Sequence, residues 1–523
     1  MRAAMANPQL FTLDAVELTE RLARGEVSSR EVTQAHLDRI AARDGEVHAF
    51  TSVLREQALA DADRADAERA KGEARGPLHG LPMSIKECFD FAGQATTIGV
   101  AARTSHRATR DAAMVELLRE SGAVLLGRTN LSQFMLFNES RNPVFGQSAN
   151  PFSLEHATGG SSGGEAAAIA AGMSPLGIGT DIGGSIRVPA AQCGIAGLKP
   201  TLDYFPLRGC QSGIPGQEVV RAAAGPMARS VRDLELVMRA LDPARMSRLD
   251  ARVAPLAPWR GADADLRKLR VGVLLDDGFV RPSHAVARAV EQAGKWLAAR
   301  GVEVVPFAPP GVHDAIFAYI GAFSADAAQT MEAMDRGGPI DPALVGLRRM
   351  ARMPAPMRAA VARLAALSGE PVLARLVGAL GRKPVEQLWK LTVAIRAYRF
   401  EMQDAWEAAR LDAVVCPPYA TPALPHGMSK DFALAGTPAM LWNIVQFPSG
   451  VVPVGRVRAP EARRDEARDK LERHAAKVDA ASAGLPVAVQ VVARPWAEPT
   501  VLALLAAIEA DARGEAEYPL TPV

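Results

Sequence analysis

The chain is short of cysteine, of net charge and of long apolar runs, and each shortage excludes a class of protein. Four cysteines in 523 residues, Cys88, Cys193, Cys210 and Cys416, follow no CxxC spacing, so they do not form the disulfide framework on which small secreted folds depend. They are read as reduced structural thiols. A formal charge of +2 at pH 7 is too small to draw nucleic acid by bulk electrostatics, so no nucleic-acid partner is expected and any basic surface must be local. No segment reaches the roughly 18 uninterrupted apolar residues of a membrane-spanning helix. The N-terminus, MRAAMANPQLFTLDAVELTERL, lacks the apolar core of a secretory signal, and the expected address is the cytoplasm. The nine histidines do not cluster as metal ligands, and no internal repeat is visible.

The composition that is present is that of a large folded protein, with 48% hydrophobic and 23% charged residues, close to ordinary globular usage. The length equals roughly three or four average domains. Strand-like segments flank every candidate linker on both sides, however, which favours one domain over 1–523. Across 9–70 apolar residues recur at helical spacing among many charges, predicting amphipathic helices. A glycine- and serine-rich core follows over 76–229, in which apolar runs such as AVLLGR at 123–128 and PLGIGT at 175–180 alternate with helical stretches. The alternation returns with VGVLLDD at 271–277, a helix over 284–300 and VEVVPF at 302–307, and the final strands are DAVVCP at 412–417 and VAVQVVA at 487–493. This pattern predicts an α/β fold with a mixed, largely parallel central sheet covered by helices on both faces. A helical cap is expected over 335–383, with 384–523 returning to the same fold. The charged segment 459–480 reads as a solvated surface helix.

Three segments stand out chemically. In GPLHGLPMSIKECFD, Lys86 ends an apolar alternation that suits a buried strand, a costly place for an ammonium group. Taken alone, a lysine is ordinarily a solvated surface residue. In TGGSSGGEAAAIAAG, Gly159, Gly160, Gly163 and Gly164 surround Ser161 and Ser162 directly before an alanine-rich helical run, so free N–H groups at the helix start sit beside flexible backbone. In GIGTDIGGSIRVPAAQCGIAGLKP, Ser185 follows Gly183 and Gly184 in a tight turn, where small residues let several N–H groups converge. Gly159 to Gly163 also satisfies G-x-S-x-G, but the polar loop HATGG leads into it instead of a strand, and no later histidine has the context of a partner. A P-loop is not supported, because no lysine follows the glycines.

The run 159–200, GGSSGGEAAAIAAGMSPLGIGTDIGGSIRVPAAQCGIAGLKP, resembles the signature of the amidase signature family almost residue for residue. IKECFD, NPVFGQSANP, GQEVVRAAAGPMAR and GLPVAVQVVARPW extend the likeness over nearly the whole chain, toward the fatty acid amide hydrolase branch. The resemblance implies a serine amidase that uses no cofactor, with Lys86 as base, Ser161 as bridging serine and Ser185 as the nucleophile that forms an acyl-enzyme. It implies an oxyanion hole from the backbone N–H groups of Ile182, Gly183, Gly184 and Ser185. Met135 and Ser161 are implied to meet substrate, Met135 through its carbonyl, although core packing accounts for Met135 equally well. Ser162, Asp181 and Arg187 are expected to support the loop. Animal members of that branch carry an N-terminal transmembrane helix that is absent here, so permanent anchoring is not expected.

The segment 344–383, LVGLRRMARMPAPMRAAVARLAALSGEPVLARLVGALGRK, is amphipathic and basic. Such helices can lie in a bilayer interface, and the resemblance places a membrane-docking cap here; a helical hairpin packed on the domain or on a second subunit is the other reading. The expected activity is hydrolysis of a lipid amide, with small aliphatic or aryl amides or an acylated natural-product intermediate as alternatives, and the glutaminase subunit of a tRNA-dependent amidotransferase as a further one. A homodimer is implied by the family alone.

Overall fold

The computed structural model describes residues 10–523. The expected helical run 9–70 begins at Gln9, which lies with residues 1–8 outside the described part. Three helices, Ala15–Ala23, Ser29–Val47 and Arg55–Ala70, fill that run. The second starts at a capping box, in which the Ser28 hydroxyl accepts from the Glu31 N–H and the Glu31 carboxylate accepts from the Ser28 N–H, so two otherwise unsatisfied groups are paired locally. An unexpected strand, Phe50–Val53, interrupts the helices and forms one edge of the sheet.

Among the described residues one 11-stranded sheet organises the fold. Its order is Phe50–Val53, Val124–Thr129, Pro82–Lys86, Leu176–Asp181, Ala223–Ala228, Ala196–Lys199, Ser449–Arg456, Pro486–Ala493, Ala413–Cys416, Arg270–Val273 and Glu303–Pro306. The expected predominance of parallel pairing is corrected. Only Pro82–Lys86 and Arg270–Val273 run parallel to both of their neighbours. The other six pairings are antiparallel. The centre of the sheet is built from Ala223–Ala228, Ala196–Lys199 and Ser449–Arg456, whose glycine and proline content hides them from a search for β-branched runs.

The segment 459–480 is also corrected. Only Lys470–Ala480 is helical, after a short 3₁₀ turn at Ala459–Glu461. Its helix is not simply solvated, because Glu472 and Asp479 are buried, held by Arg281 and Arg468 in one case and Arg464 in the other. The expected cap resolves into helices Pro342–Arg352, Ala355–Leu367 and Pro371–Ala379, followed by the long helix Val385–Ala408. Among the described residues no helix is long and apolar enough to cross a membrane.

Candidate active site

The parallel part of the sheet places the chemistry. Strand Pro82–Lys86 is buried at every position, as a strand covered on both faces must be. Lys86 is its last residue and pairs in register with Thr129, while Leu176–Asp181 runs parallel on the other side. Lys86, Thr180 and Asp181 therefore emerge at one carboxyl edge, where ligands of α/β sheets bind. Lys86 Nζ, fully buried, donates to Ser161 Oγ at 2.7 Å and to Thr180 Oγ1 at 2.9 Å. Burial pushes its ammonium below the ordinary value, against opposing contributions from Cys88, Cys210, Asp181 and Glu165. Burial of this kind disfavours the ammonium and makes the free amine easier to form.

Ser161 follows a cis peptide bond from Gly160 and precedes the helix Gly163–Ala170. A strand, Ser153–Ala157, does lie upstream of this serine pair, which corrects the reading of HATGG as plain loop. It belongs to a two-stranded ribbon with Ala149–Asn150 outside the central sheet, and the group bonded to Ser161 is a lysine, so the elbow geometry is not reproduced. Ser162 ties the serines together: its N–H donates to Ser185 O at 3.1 Å, and its hydroxyl donates to Thr180 O at 3.2 Å.

Ser185 sits in a turn clamped by Asp181. The carboxylate accepts from Gly184 N–H at 2.9 Å, Ile186 N–H at 3.1 Å and the Arg187 guanidinium at 2.9 Å. Arg187, equally buried, also donates to Ala439 O, Gln490 Oε1 and Asn443 Oδ1 at 3.0, 2.6 and 2.6 Å. Burial alone would raise the Asp181 carboxyl; Arg187 outweighs it and holds Asp181 well below the usual carboxylate range. Gly184 adopts φ +110, and a Cβ there would stand 2.8 Å from Ala439 Cβ, so the turn admits only glycine. Gly184 is also a correction to the expected oxyanion donors, since its N–H is already committed to Asp181. Ile182, Gly183 and Ser185 line the cavity instead. Tyr319, whose hydroxyl donates to Ile182 O at 3.1 Å, braces this loop and was not foreseen.

Two cavities meet at Ser185. One, of about 180 Å³, is lined mostly by apolar side chains, among them Phe323, Leu344, Leu347, Leu376, Leu380 and Met440. The other, of about 230 Å³, reaches Ser161 and Thr180 and opens among Gln211, Gln217, Glu218, Arg221 and Arg252. Met135 lines both. It and Phe134 hold φ of +61 and +56, a left-handed pair of non-glycine residues that tends to mark functional walls. Cys88 and Cys210, 122 positions apart, bring their sulfurs to 3.7 Å beside Lys86 and are free thiols.

A protein-family model described as Amidase matches residues 31–502. Fatty-acid amide hydrolase 1 of Sus scrofa is 36% identical over 97% of this chain and 88% of its own length. A solved fatty acid amide hydrolase superposes with a TM-score of 0.86 at 29% identity, covering 97% of this chain and 87% of that one. Acetamidase of Aspergillus oryzae is 30% identical over 94% of this chain and 88% of its own.

Proposed function

This chain belongs to the amidase family, a hydrolase of amide C–N bonds, and from that premise we propose that it cleaves long-chain fatty acid amides or N-acyl amines through an acyl-enzyme on Ser185. The apolar cavity that ends on Ser185 carries this reading, because a wall of leucine, phenylalanine and methionine favours an extended acyl chain. In the proposed reaction Lys86 Nζ takes a proton through Ser161, Ser161 takes one from Ser185, and Ser185 Oγ bonds to the acyl carbon. The N–H groups of Ile182, Gly183 and Ser185 hold the oxyanion. The relay run backwards protonates the amine as the C–N bond breaks, since a free amide anion is too poor a leaving group. Water then attacks the ester by the same route, releasing the acid and restoring Ser185. Ser162 holds the two serine backbones, Met135 orients the scissile amide, and Asp181 with Arg187 keeps the turn in shape.

A series of primary amides from about two to about eighteen carbons tests the substrate. While added methylenes are buried, kcat/KM should rise roughly fourfold each, the equivalent of about 0.8 kcal/mol. A flat series, or cleavage of only short or aryl amides, sinks the lipid reading and leaves the small-amide one, which the likeness to an acetamidase favours; glutamine hydrolysis would identify the amidotransferase reading.

The cap suggests how a lipid arrives. Leu344, Leu347, Leu376 and Leu380 roof the apolar cavity, while Met357, Leu364 and Leu367 on helix Ala355–Leu367 are 57%, 66% and 76% exposed. Several arginines are neutralised within the fold, Arg348 by Glu332 and Asp335, Arg352 by Glu332 and Arg375 by Asp314, which weakens the basic face. The reading is therefore shallow, reversible docking of 344–383 on a membrane surface. Sedimentation with anionic lipid vesicles should be salt-sensitive and fall several-fold in Leu364→Asp/Leu367→Asp. Unchanged binding in that variant, or a dimer in solution that shields the helix, assigns the exposed face elsewhere.

A further inference from the structure

One buried acid is left unused by this reaction. Glu165 stands in the first turn of helix Gly163–Ala170, whose start presents Ser161, and is fully buried. Its carboxylate accepts from the Ser84 hydroxyl and, at 2.7 Å, from Thr129 Oγ1. Ser84 lies two positions before Lys86, on the same face of the strand. Thr129 is the register partner of Lys86 in the adjoining strand. On the other side Gly177 makes room, because a Cβ there would collide with Glu165 Oε1. A single side chain thus ties the helix that follows the bridging serine to the strand that carries the lysine.

Resting on the roles proposed for Lys86 and Ser161, we propose that Glu165 is a positioning residue: through Ser84 and Thr129 it fixes the lysine strand against the helix that follows Ser161, and its charge, one of several around Nζ, favours the protonated lysine. A hydroxyl or an amide in its place would serve as a tie but not as a charge. The groups facing Lys86 are Cys88 on its own segment, Cys210 from the facing loop, Asp181 from the neighbouring strand and Glu165 from the helix. Those facing Glu165 are Ser84, Thr129 and Lys86. Burial pushes the Glu165 carboxyl up to about 7, against those hydrogen bonds and the lysine charge. Above that pH an ionised Glu165 favours the ammonium form of Lys86 and so delays its loss of a proton as pH rises.

The acid limb of kcat/KM reports ionisation in the free enzyme. Glu165→Gln keeps the shape and, with one hydroxyl turned to accept from the amide, both hydrogen bonds, but removes the charge, so the limb should move to lower pH. Glu165→Ala removes the tie as well, and kcat should fall on the order of 10²-fold with KM less affected. Ser84→Ala, a milder cavity, should lower kcat without moving the limb. The measurement is a pH profile of each variant on an amide that wild type cleaves, with Ser185→Ala alongside. An unmoved limb and normal kcat in Glu165→Gln, while Ser185→Ala is inactive, overturns the inference alone; activity surviving in Ser185→Ala overturns the reading on which it rests.

Discussion

Ser185→Ala should lower kcat/KM by on the order of 10⁴-fold or more, and Lys86→Ala by nearly as much. With Ser185 as the proposed nucleophile, its removal leaves a bound amide facing only water, with whatever help the loop donors give. Removing the lysine leaves Ser161 without the acceptor of its proton, and the Thr180 hydroxyl, the other partner of Nζ, is too weak a base to replace it. In the proposed relay the residues act as one unit, so the losses should not add: Lys86→Ala/Ser185→Ala should be no slower than Ser185→Ala. A fluorophosphonate probe supplies a second readout, since it bonds to the activated serine oxygen itself. Wild type should be labelled on Ser185, Lys86→Ala slowly, and Ser185→Ala not at all. Labelling of Ser161 in wild type, or full activity without Ser185, would exchange the roles of the two serines or discard the relay.

Much of this site was legible in the sequence because its chemistry demands a local pattern. Glycines must crowd Ser161 and Ser185, and a lysine at the end of an apolar strand, costly to bury on its own, gains a chemical purpose once those serines stand beside it. Asp181 and Arg187 were readable as partners for the same reason, lying within one turn of each other. What stayed hidden was held by distant parts of the chain. Thr180 became a neighbour of Lys86 only through strand pairing and Glu165 only through the packing of its helix on the sheet, and Tyr319 arrives from a helix 137 positions beyond Ile182. Gly184 looked like an oxyanion donor because a glycine turn offers its N–H freely; only the fold shows that Asp181 has already taken it. The strands at 123–128, 175–180, 412–417 and 487–493 declared themselves through β-branched and leucine-rich runs. SGVVPVGR at Ser449–Arg456 and AAGPMA at Ala223–Ala228 did not, since proline and glycine are read as breaks. Strand direction was the least visible property. Helices between strands suggest crossovers, yet six of the pairings here are made by strands that return antiparallel.

Breaking the buried pair under Ser185 should cost more stability than any other single change at the site. Asp181→Ala leaves the Arg187 guanidinium at zero exposure without its counter-charge, and an orphaned buried ion typically costs about 3–5 kcal/mol. It also strands the N–H groups of Gly184 and Ile186, each a buried donor that must then find a new acceptor. Asp181→Ala/Arg187→Met should therefore recover part of the loss, because the second change removes the unpaired charge and fills the space. The pH dependence has a definite sign. Arg187 holds the folded Asp181 carboxyl well below the usual range, so its contribution is complete above the unfolded carboxylate value and is lost only as pH falls through the lower, folded one. Glu165, whose folded carboxyl is pushed up to about 7, works the other way: its ionisation subtracts stability as pH climbs from the unfolded carboxylate value toward 7. Denaturation midpoints measured across pH on wild type, Asp181→Ala and Glu165→Gln separate the two. Asp181→Ala should narrow the gap to wild type only in strong acid, and Glu165→Gln should flatten the decline between mild acidity and neutrality. A loss below about 1 kcal/mol in Asp181→Ala, the size of an exposed pair, would mean that water reaches Arg187 and that the turn carrying Ser185 is held by its backbone alone.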